Sequence, residues 1–431
     1  MSEIRRELSP VERWYWVADQ VSPLNVIARV HVRGPLSDEL LVDAAARLAA
    51  EQPLLRVSIA ADTDGTRPRF VAPAQPTIPV RSVVEADAWE REVDSVELST
   101  SLDWRTGPLV RILHVSADDS HDIVLTASHI IADGTTVLVL LQRLLELAAG
   151  AELAPRNPLP APEELLPKGF RGPRGGLRIV GGGVADQVTV AVARPARLQP
   201  EVAVDAARRR TRLIRHRIDG DVLAALVDTC RAKGVTVHGA LTAAMASAIG
   251  QEIDPGGSGR LCIGSPIDFR GELEPPVPKD DAGAYVATVP SHLQYGESVD
   301  LWDCGRSLNT ELERRKRFRQ HLVLLATLRL ICPKSVSSSG RSFALAESKG
   351  PGNVCISNIG RFDFAGRIGE WELSGAQFIA GISISGFYVA TVNTSHGVLH
   401  WNFTYIDECV SRERANRIAD GAVRTLLAGI E

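Results

Sequence analysis

A histidine and an aspartate four residues apart are the side chains best suited to chemistry in this sequence. His129, Asp133 and Gly134 form the pattern His-x-x-x-Asp-Gly between the apolar run Ile123–Ser128 and the apolar, helix-like segment Thr135–Ala149. An alcohol keeps its proton in neutral water, but a neutral imidazole beside it accepts that proton while a new bond forms. We therefore predict that His129 is a general base at a strand end, with Gly134 giving backbone freedom for a tight turn. The alternative is a histidine that ends a strand without a catalytic role.

The elements around this motif predict two domains. Ser9–Glu12 has the spacing of a capping box at the start of a helix, and strands and helices follow it. Ala154–Pro200 is rich in Pro, Gly and Arg, which is typical of a long connection, and regular elements then resume. A chain of 431 residues usually holds more than one core. We predict an α+β fold with a first domain at 1–155, a crossover connection at 156–205, a second domain at 206–431, and a cleft between the domains.

The composition is that of an ordinary globular protein and argues against several function classes. Hydrophobic residues make up 45% of the chain and charged residues 23%, and the formal charge of −4 gives no basis for binding nucleic acid. The N-terminus lacks the apolar segment of a signal peptide, and no run of about 18 apolar residues predicts a membrane span. The six cysteines are scattered without metal-ligand spacing. We predict a cytoplasmic protein with no metal and no permanently bound cofactor.

Seven segments resemble, in order, the motifs of one acyltransferase superfamily. Ser128–Gly134 looks like the HHxxxDG motif of nonribosomal-peptide condensation domains, polyketide-associated (Pap-type) acyltransferases and plant BAHD acyltransferases, which share the chloramphenicol-acetyltransferase-like fold. Ser128 stands where the motif has its first histidine, and the BAHD DFGWG segment is absent as such, so the sequence is more similar to the bacterial branches. The other matching segments are Arg6–Glu12, Gln52–Arg56, Gly234–Ala244, Ser265–Arg270, Gly283–Pro290 and Ile356–Gly360.

The resemblance implies a fold, a reaction and roles for individual residues. It implies two chloramphenicol-acetyltransferase-like domains with a tunnel between them. The reaction is transfer of an acyl group from an acyl-CoA or acyl-carrier-protein thioester to a hydroxyl of a lipid, polyketide or other secondary metabolite, with His129 as base and no covalent enzyme intermediate. Asp133 and Arg270 are expected to form an ion pair that holds the motif in place. Ser357 is expected to donate a hydrogen bond to the tetrahedral oxyanion, with Asn358 as the neighbouring candidate.

Other interpretations of these residues remain open from the sequence. Arg270 can be a surface arginine that follows a strand, and the Ser357 hydroxyl can bond to nearby backbone. The chain can be a stand-alone condensation enzyme that forms amides, or a catalytically silent module that docks a carrier protein. We favour a stand-alone O-acyltransferase of the Pap type, because no adenylation or carrier segment accompanies the motifs. We also expect a monomer.

A basic run at Arg314, Arg315, Lys316 and Arg317 ends a predicted helix. Cationic side chains at a helix C-terminus complement the helix dipole and usually form a solvated face. The functional interpretation is a docking site for coenzyme A phosphates or for an acidic acyl carrier protein. The expected partners are therefore a small-molecule acceptor and a thioester donor carried on CoA or on the phosphopantetheine of a carrier protein.

Overall fold

The computed structural model describes residues 4–73, 77–170, 195–349, 353–384 and 386–430. In these residues two six-stranded mixed sheets form the frame of the molecule, and helices cover them. The predicted α+β class is confirmed. Part of the predicted crossover connection, residues 171–194, lies outside the described ranges.

Fourteen strands are found in the described residues, and they form two large sheets and one small sheet. They are β1 (Asn25–Arg33), β2 (Ser58–Ala60), β3 (Arg69–Val71), β4 (Val80–Val84), β5 (Val110–Ala117), β6 (Ser120–Ser128), β7 (Thr211–Asp219), β8 (Gly259–Asp268), β9 (Val286–Tyr295), β10 (Val354–Arg361), β11 (Arg367–Ile368), β12 (Trp371–Ala380), β13 (Tyr388–Ser395) and β14 (Val398–Ile406). The first sheet has the order β11-β12-β1-β6-β5-β4, and the second has the order β7-β14-β13-β10-β8-β9. β2 and β3 pair separately.

The helices of the described residues cover these sheets. They are α1 (Pro10–Val21), α2 (Asp38–Glu51), α3 (Trp89–Glu92), α4 (Gly134–Ala148), α5 (Gly220–Ala232), α6 (Val237–Ile253), α7 (Leu301–Arg317), α8 (Gln320–Ile331), α9 (Gly340–Lys349) and α10 (Arg412–Ala428). α2 and α4 pack on each other and α4 packs on β1, whereas α6 and α10 pack together over the second sheet. Each large sheet therefore has its own apolar core.

One strand from the second half of the chain completes the first sheet. β12 pairs antiparallel with β1 from Val26 opposite Ala380 to Arg33 opposite Glu372, with a register shift between Arg29 and His31. Side chains of the second sheet also bond to β12: Asn393 Nδ2 donates to a β12 carbonyl oxygen at 2.9 Å, and further bonds of this kind lie beside it. The predicted second domain, 206–431, thus contributes β11 and β12 to the sheet built mainly from residues before 155.

The start of α1 is fixed by its own capping box and by the connection that follows the first sheet. Ser9 Oγ accepts a hydrogen bond from Glu12 N (3.3 Å), and the Glu12 carboxylate accepts one from Ser9 N (2.7 Å). Arg6 binds both carboxylate oxygens of Glu12 at 2.7 Å. Glu163 accepts a hydrogen bond from Val11 N at 2.9 Å. α1 therefore begins at a defined place over the gap between the sheets.

Glu163 is expected to make the protein less stable as the pH rises. Its side chain is 2% exposed, and burial raises its pKa from 4.5 to about 7, against the hydrogen bond from Val11 N. Between these values the folded state binds more protons than the unfolded state, so the free energy of unfolding falls as pH rises through that window. We expect Glu163→Gln to raise the denaturant midpoint at about pH 8 and to flatten this pH dependence. A variant less stable than the wild type at that pH would contradict the prediction.

Candidate active site

His129 directly follows β6, at a point where the backbone is held on both sides. Its N–H donates to the carbonyl oxygen of Leu24 at 3.0 Å, and the N–H of Ser128 donates to that of Leu109 at 3.0 Å. The Ser128 hydroxyl accepts a hydrogen bond from Ile130 N at 3.4 Å. Ser128, which replaces the first histidine of the motif, is thus buried and stabilises the turn.

A cavity of about 540 Å³ lies between the two sheets, and His129 forms part of its wall. Its wall is built from α1, the turn after β6, strands β8, β9, β10 and β12, and helix α8. These elements come from both halves of the chain, and most of the lining side chains are apolar. The volume and the apolar lining with a few polar groups are typical of a small-molecule site. Ser357 and Asn358 line the same cavity.

The imidazole of His129 is neutral at pH 7. Burial lowers its pKa below the ordinary value, although the charge of nearby Asp133 acts in the opposite direction. Nδ1 is enclosed by protein, the ring interacts with the backbone of His129 and Ala132, and His129 forms part of the cavity wall. A neutral ring in the wall of a cavity is able to accept a proton from a bound alcohol or amine.

Asp133 caps α4, and buried partners occupy its carboxylate. One of its carboxylate oxygens accepts hydrogen bonds from Thr136 N (2.9 Å) and from Arg270 (3.1 Å), and the other accepts from Tyr285 N (2.9 Å) and from Arg270 (2.9 Å). Burial alone would raise the pKa of Asp133, but Arg270 and the backbone hydrogen bonds hold it below the ordinary value. The carboxylate therefore stays ionised and fully occupied by these partners.

Arg270 is a buried connector between the two sheets, with 2% of the residue exposed. Besides Asp133 it donates to the Thr136 hydroxyl (2.5 Å) and to the carbonyl oxygen of Gly283 (3.3 Å), and its guanidinium lies 4.7 Å from the ring centre of Tyr285. The structure thus brings Asp133 and Arg270 together in a bidentate pair. The surface-arginine interpretation of Arg270 does not hold.

Gly134 is required for space, and the expectation of special backbone freedom is wrong. It is the first residue of α4, and its φ angle does not lie in the left-handed region. A Cβ atom built there would stand 2.6 Å from Cε2 of Phe378, a β12 residue in the cavity wall. The glycine therefore allows β12 to approach the start of α4 closely.

We expect Gly134→Ala to destabilise the protein by about 1–3 kcal/mol, because the added methyl group overpacks the contact with Phe378. Adding Phe378→Leu to this variant should recover part of the loss, since the two sites share one contact. Gly366→Ala is the matched control, because a Cβ there meets nothing within 4 Å. Denaturant unfolding measures all four proteins, and equal midpoints for Gly134→Ala and the wild type would contradict the expectation.

Ser357 and Asn358 lie on β10 and face the cavity in different ways. The Ser357 hydroxyl makes no hydrogen bond to the described residues, so the alternative of a bond to local backbone is not seen there. Asn358 Oδ1 accepts a hydrogen bond from Gly360 N at 2.7 Å, where the pairing of β10 with β13 shifts by one residue. Asn358 thus serves the shape of the strand end, and the hydroxyl of Ser357 is left for a ligand.

The basic run at the end of α7 does not act as one surface. Arg315 is 1% exposed and binds Glu311 at 2.8 Å and Gln320 at 2.7 Å, so its assignment to a docking site is wrong. It points inward because the helix turns its side chain under the start of α8. The neighbouring side chains are exposed, and one of them, Lys316, contacts Glu313 at 3.3 Å. The exposed members are Arg314, Lys316 and Arg317.

Tyr15 is a cavity residue that the sequence analysis missed. Its ring stacks on the His129 imidazole with 4.3 Å between ring centres and 9° between ring planes. The available signal was the aromatic run Trp14-Tyr15-Trp16 in the capped helix α1. Such a run is usually core packing, and here it is partly so, because Trp16 packs edge-on against Trp104.

The described residues offer no metal-binding cluster and no membrane-spanning helix. No group of three or more His, Cys, Asp and Glu side chains there is placed to hold a metal ion. No helix there combines the length and apolar character needed to cross a membrane.

Comparison with known proteins gives one match to a family model and one to a curated protein. Residues 207–365 match the model for the phthiocerol/phthiodiolone dimycocerosyl transferase C-terminus. A stretch of 152 residues is 29% identical to Nonribosomal peptide synthetase 5 of Gibberella zeae. This stretch is 34% of the present chain and only 1% of that synthetase.

Solved structures match over nearly the whole chain. The first condensation domain of the CDA synthetase matches with a TM-score of 0.75 and 14% identity, over 99% of this chain and 96% of that one. The starter condensation domain of rhizomide synthetase, solved as a mutant with C8-CoA, matches with 0.72 and 17%, over 99% and 95%. Polyketide synthase associated protein 5 from Mycobacterium tuberculosis matches with 0.67 and 18%, over 99% and 98%.

The fold implied by the sequence motifs is confirmed by these matches. The chain therefore has the fold of these condensation domains and of the Pap-type protein, and its residues 207–365 are similar to the dimycocerosyl transferase C-terminus.

Proposed function

We propose that this protein transfers an acyl group from a thioester to a hydroxyl, with His129 as the general base. The observation that carries the proposal is the neutral imidazole in the wall of a cavity shared by both halves of the chain. Asp133 does not compete for the proton, because Arg270 and two backbone N–H groups occupy its carboxylate. The reaction class rests on the superfamily, in which condensation domains and Pap-type acyltransferases share this fold.

The proposed reaction is a direct transfer between two bound substrates. His129 takes the hydroxyl proton while the oxygen attacks the thioester carbonyl carbon, which gives a tetrahedral intermediate with a negative oxygen. The carbon–sulfur bond then breaks, and the leaving thiolate accepts the proton from the imidazolium of His129. The products are an ester and a free thiol, and no covalent bond to the enzyme forms.

Ser357 is the proposed donor to the negative oxygen of the intermediate. It lines the cavity with His129, and its hydroxyl makes no hydrogen bond to the described residues. A single donor of this kind contributes about 10²-fold or more to kcat, because it strengthens as charge develops. We expect Ser357→Ala to lower kcat by about 10²-fold with little change in stability, and Ser357→Thr to retain most of the rate. Steady-state kinetics of the three proteins would show whether the hydroxyl acts in this way.

The donor is proposed to carry its thioester on CoA or on the phosphopantetheine of a carrier protein. Two features support a donor site near α7 and α8. The exposed cationic groups at the end of α7, Arg314, Lys316 and Arg317, suit phosphate or an acidic protein surface. α8 begins three residues later, and its Leu324 and Leu328 line the cavity.

The test is a transfer assay read by intact mass and by product mass. The full chain is incubated with acetyl, octanoyl and palmitoyl thioesters of CoA and of pantetheine, each with a fatty alcohol and with an amine of matched length. Ester formation that needs His129 supports the proposal, whereas amide formation alone supports the condensation alternative. If a protein that binds the thioesters forms neither ester nor amide with any pair of substrates, the result would favour a catalytically silent module.

The amide-forming alternative is supported by specific similarities. The full-length structural match to the first condensation domain of the CDA synthetase and the partial match to Nonribosomal peptide synthetase 5 both point to condensation chemistry. The same base, cavity and intermediate serve an amine nucleophile, so only the acceptor distinguishes the two reactions.

A further inference from the structure

We propose that Tyr15 is a positioning residue, which holds the imidazole of His129 in its reactive orientation by ring stacking. This inference rests on the proposed function, because it concerns the same general base. The observation behind it is the near-parallel contact between the two rings, 4.3 Å between centres and 9° between planes.

The stack matters because no carboxylate among the described residues orients the imidazole of His129. A base histidine is commonly fixed by a hydrogen bond from its second ring nitrogen to a carboxylate or a carbonyl oxygen. The ring of His129 interacts with the backbone of His129 and Ala132 but forms no hydrogen bond with a described carboxylate. The carboxylate of Asp133 is bound to Arg270, Thr136 N and Tyr285 N. The backbone fixes where the side chain starts, but rotation of the ring is limited by its packing against Tyr15.

Tyr15 is itself held firmly, which a positioning residue requires. Its neighbours on α1 pack in opposite directions: Trp14 meets Phe343 edge-on at 5.5 Å between ring centres, and Trp16 meets Trp104 at 5.2 Å. The helix start is fixed by its capping box and by the connection, as described above. The ring of Tyr15 is therefore held in a fixed position against one face of the imidazole.

The hydroxyl of Tyr15 is not needed for this role. It makes no hydrogen bond to a described residue, and burial raises the pKa of Tyr15, so the phenol stays neutral. A phenylalanine offers the same ring without the hydroxyl, and a leucine offers apolar volume without a ring. These two substitutions separate stacking from polarity and from simple cavity filling.

The experiment compares Tyr15→Phe, Tyr15→Leu and, as the control for disturbance of α1, Trp16→Leu, all in the full chain. Trp16 is buried on the same helix and does not line the cavity. We expect Tyr15→Leu to lower kcat by about 10²-fold, as small misplacements of catalytic groups do, with KM within about 3-fold of the wild type. Tyr15→Phe should restore the rate to within about 3-fold, because it restores the stack.

A second measurement does not depend on turnover. In protein labelled with ¹³C in its histidines, the ring resonance of His129 is identified by its loss in His129→Gln. It should show an upfield shift from the stacked ring in the wild type and in Tyr15→Phe, and lose that shift in Tyr15→Leu. If no thioester is turned over but the shifts follow this pattern, the proposed function is wrong, and the orientation of the His129 ring by Tyr15 is still supported.

Three results would overturn the inference. One is a Tyr15→Leu protein with wild-type kcat and an unchanged His129 resonance. Another is a Tyr15→Phe protein as slow as Tyr15→Leu, which would assign the effect to the hydroxyl. The third is an equal loss of kcat in Trp16→Leu at the same stability, which would assign it to general disturbance of α1.

Discussion

Replacing His129 with glutamine is expected to lower kcat for acyl transfer by about 10²–10⁴-fold, the range that general base catalysis contributes. Glutamine keeps a polar side chain of comparable length at the end of β6 but takes up no proton at neutral pH. The fold should be retained, because the backbone hydrogen bonds of the turn and the Asp133–Arg270 pair do not involve the ring. Initial rates at saturating donor and acceptor measure the effect, and thermal unfolding checks the fold.

The pH profile of the wild type gives an independent check on the same residue. Burial lowers the pKa of His129, so the neutral ring persists below pH 6.5. The acidic limb of kcat/KM should therefore lie on the acid side of the ordinary histidine value, since activity is lost only when the ring is protonated.

The matched control is His216→Gln. His216 lies on β7 outside the cavity, half-buried, with its ring edge-on to Phe403. It should leave kcat within about 3-fold of the wild type, a margin far below the effect of removing a base. If His129→Gln transfers acyl groups as fast as this control, the base is another group and the reaction proposed here is wrong.

Replacing Arg270 with alanine is expected to cost about 3–5 kcal/mol of stability, because it leaves the buried carboxylate of Asp133 without its counter-charge. The same change removes the donor to Thr136 and to the Gly283 carbonyl oxygen, both at the contact between the two sheets. Activity should fall together with stability, since Asp133 caps the helix that follows the HxxxDG turn.

A double substitution distinguishes the loss of the whole Asp133–Arg270 ion pair from the loss of one of its charges. Asp133→Asn with Arg270→Met removes both charges, and we expect it to be more stable than Arg270→Ala alone, because no uncompensated charge remains. Arg361→Ala is the control for an exposed pair, since Arg361 contacts Asp363 at the surface, and it should change stability by less than about 1 kcal/mol. Loss of activity in Arg270→Ala at normal stability would instead show that the guanidinium contacts substrate.

The sequence predicted well those elements that a local pattern dictates. α1 carries a complete capping box, and the apolar run before His129 is a buried strand, as expected. α8 was not predicted, because its N-cap is Arg319 in the left-handed region with no side-chain cap, so no start signal exists. The motif residue His129 could be identified for the same local reason, since strand, turn and helix are contiguous there.

What the sequence could not predict depends on distant partners. The pattern of β12 predicts a strand, but not that it joins the first sheet. The need for Gly134 lies in Phe378, on that same strand. Arg315 stands in a run that reads as solvated, yet Glu311 and Gln320 bind it in the interior. The stacking of Tyr15 on His129 likewise joins two elements that are far apart in the chain.

The passage of β12 into the first sheet has a consequence for how substrates arrive. Two domains joined by a single linker could move apart to admit a bulky molecule. Here the chain passes from the second half into the first sheet, pairs with β1 from Arg33 to Val26, and returns to β13. Separating the two halves would therefore break the hydrogen bonds between β1 and β12. We expect that the two halves, expressed as separate fragments, do not fold stably. We also expect the acyl donor and the acceptor to enter the cavity end first, without separation of the halves.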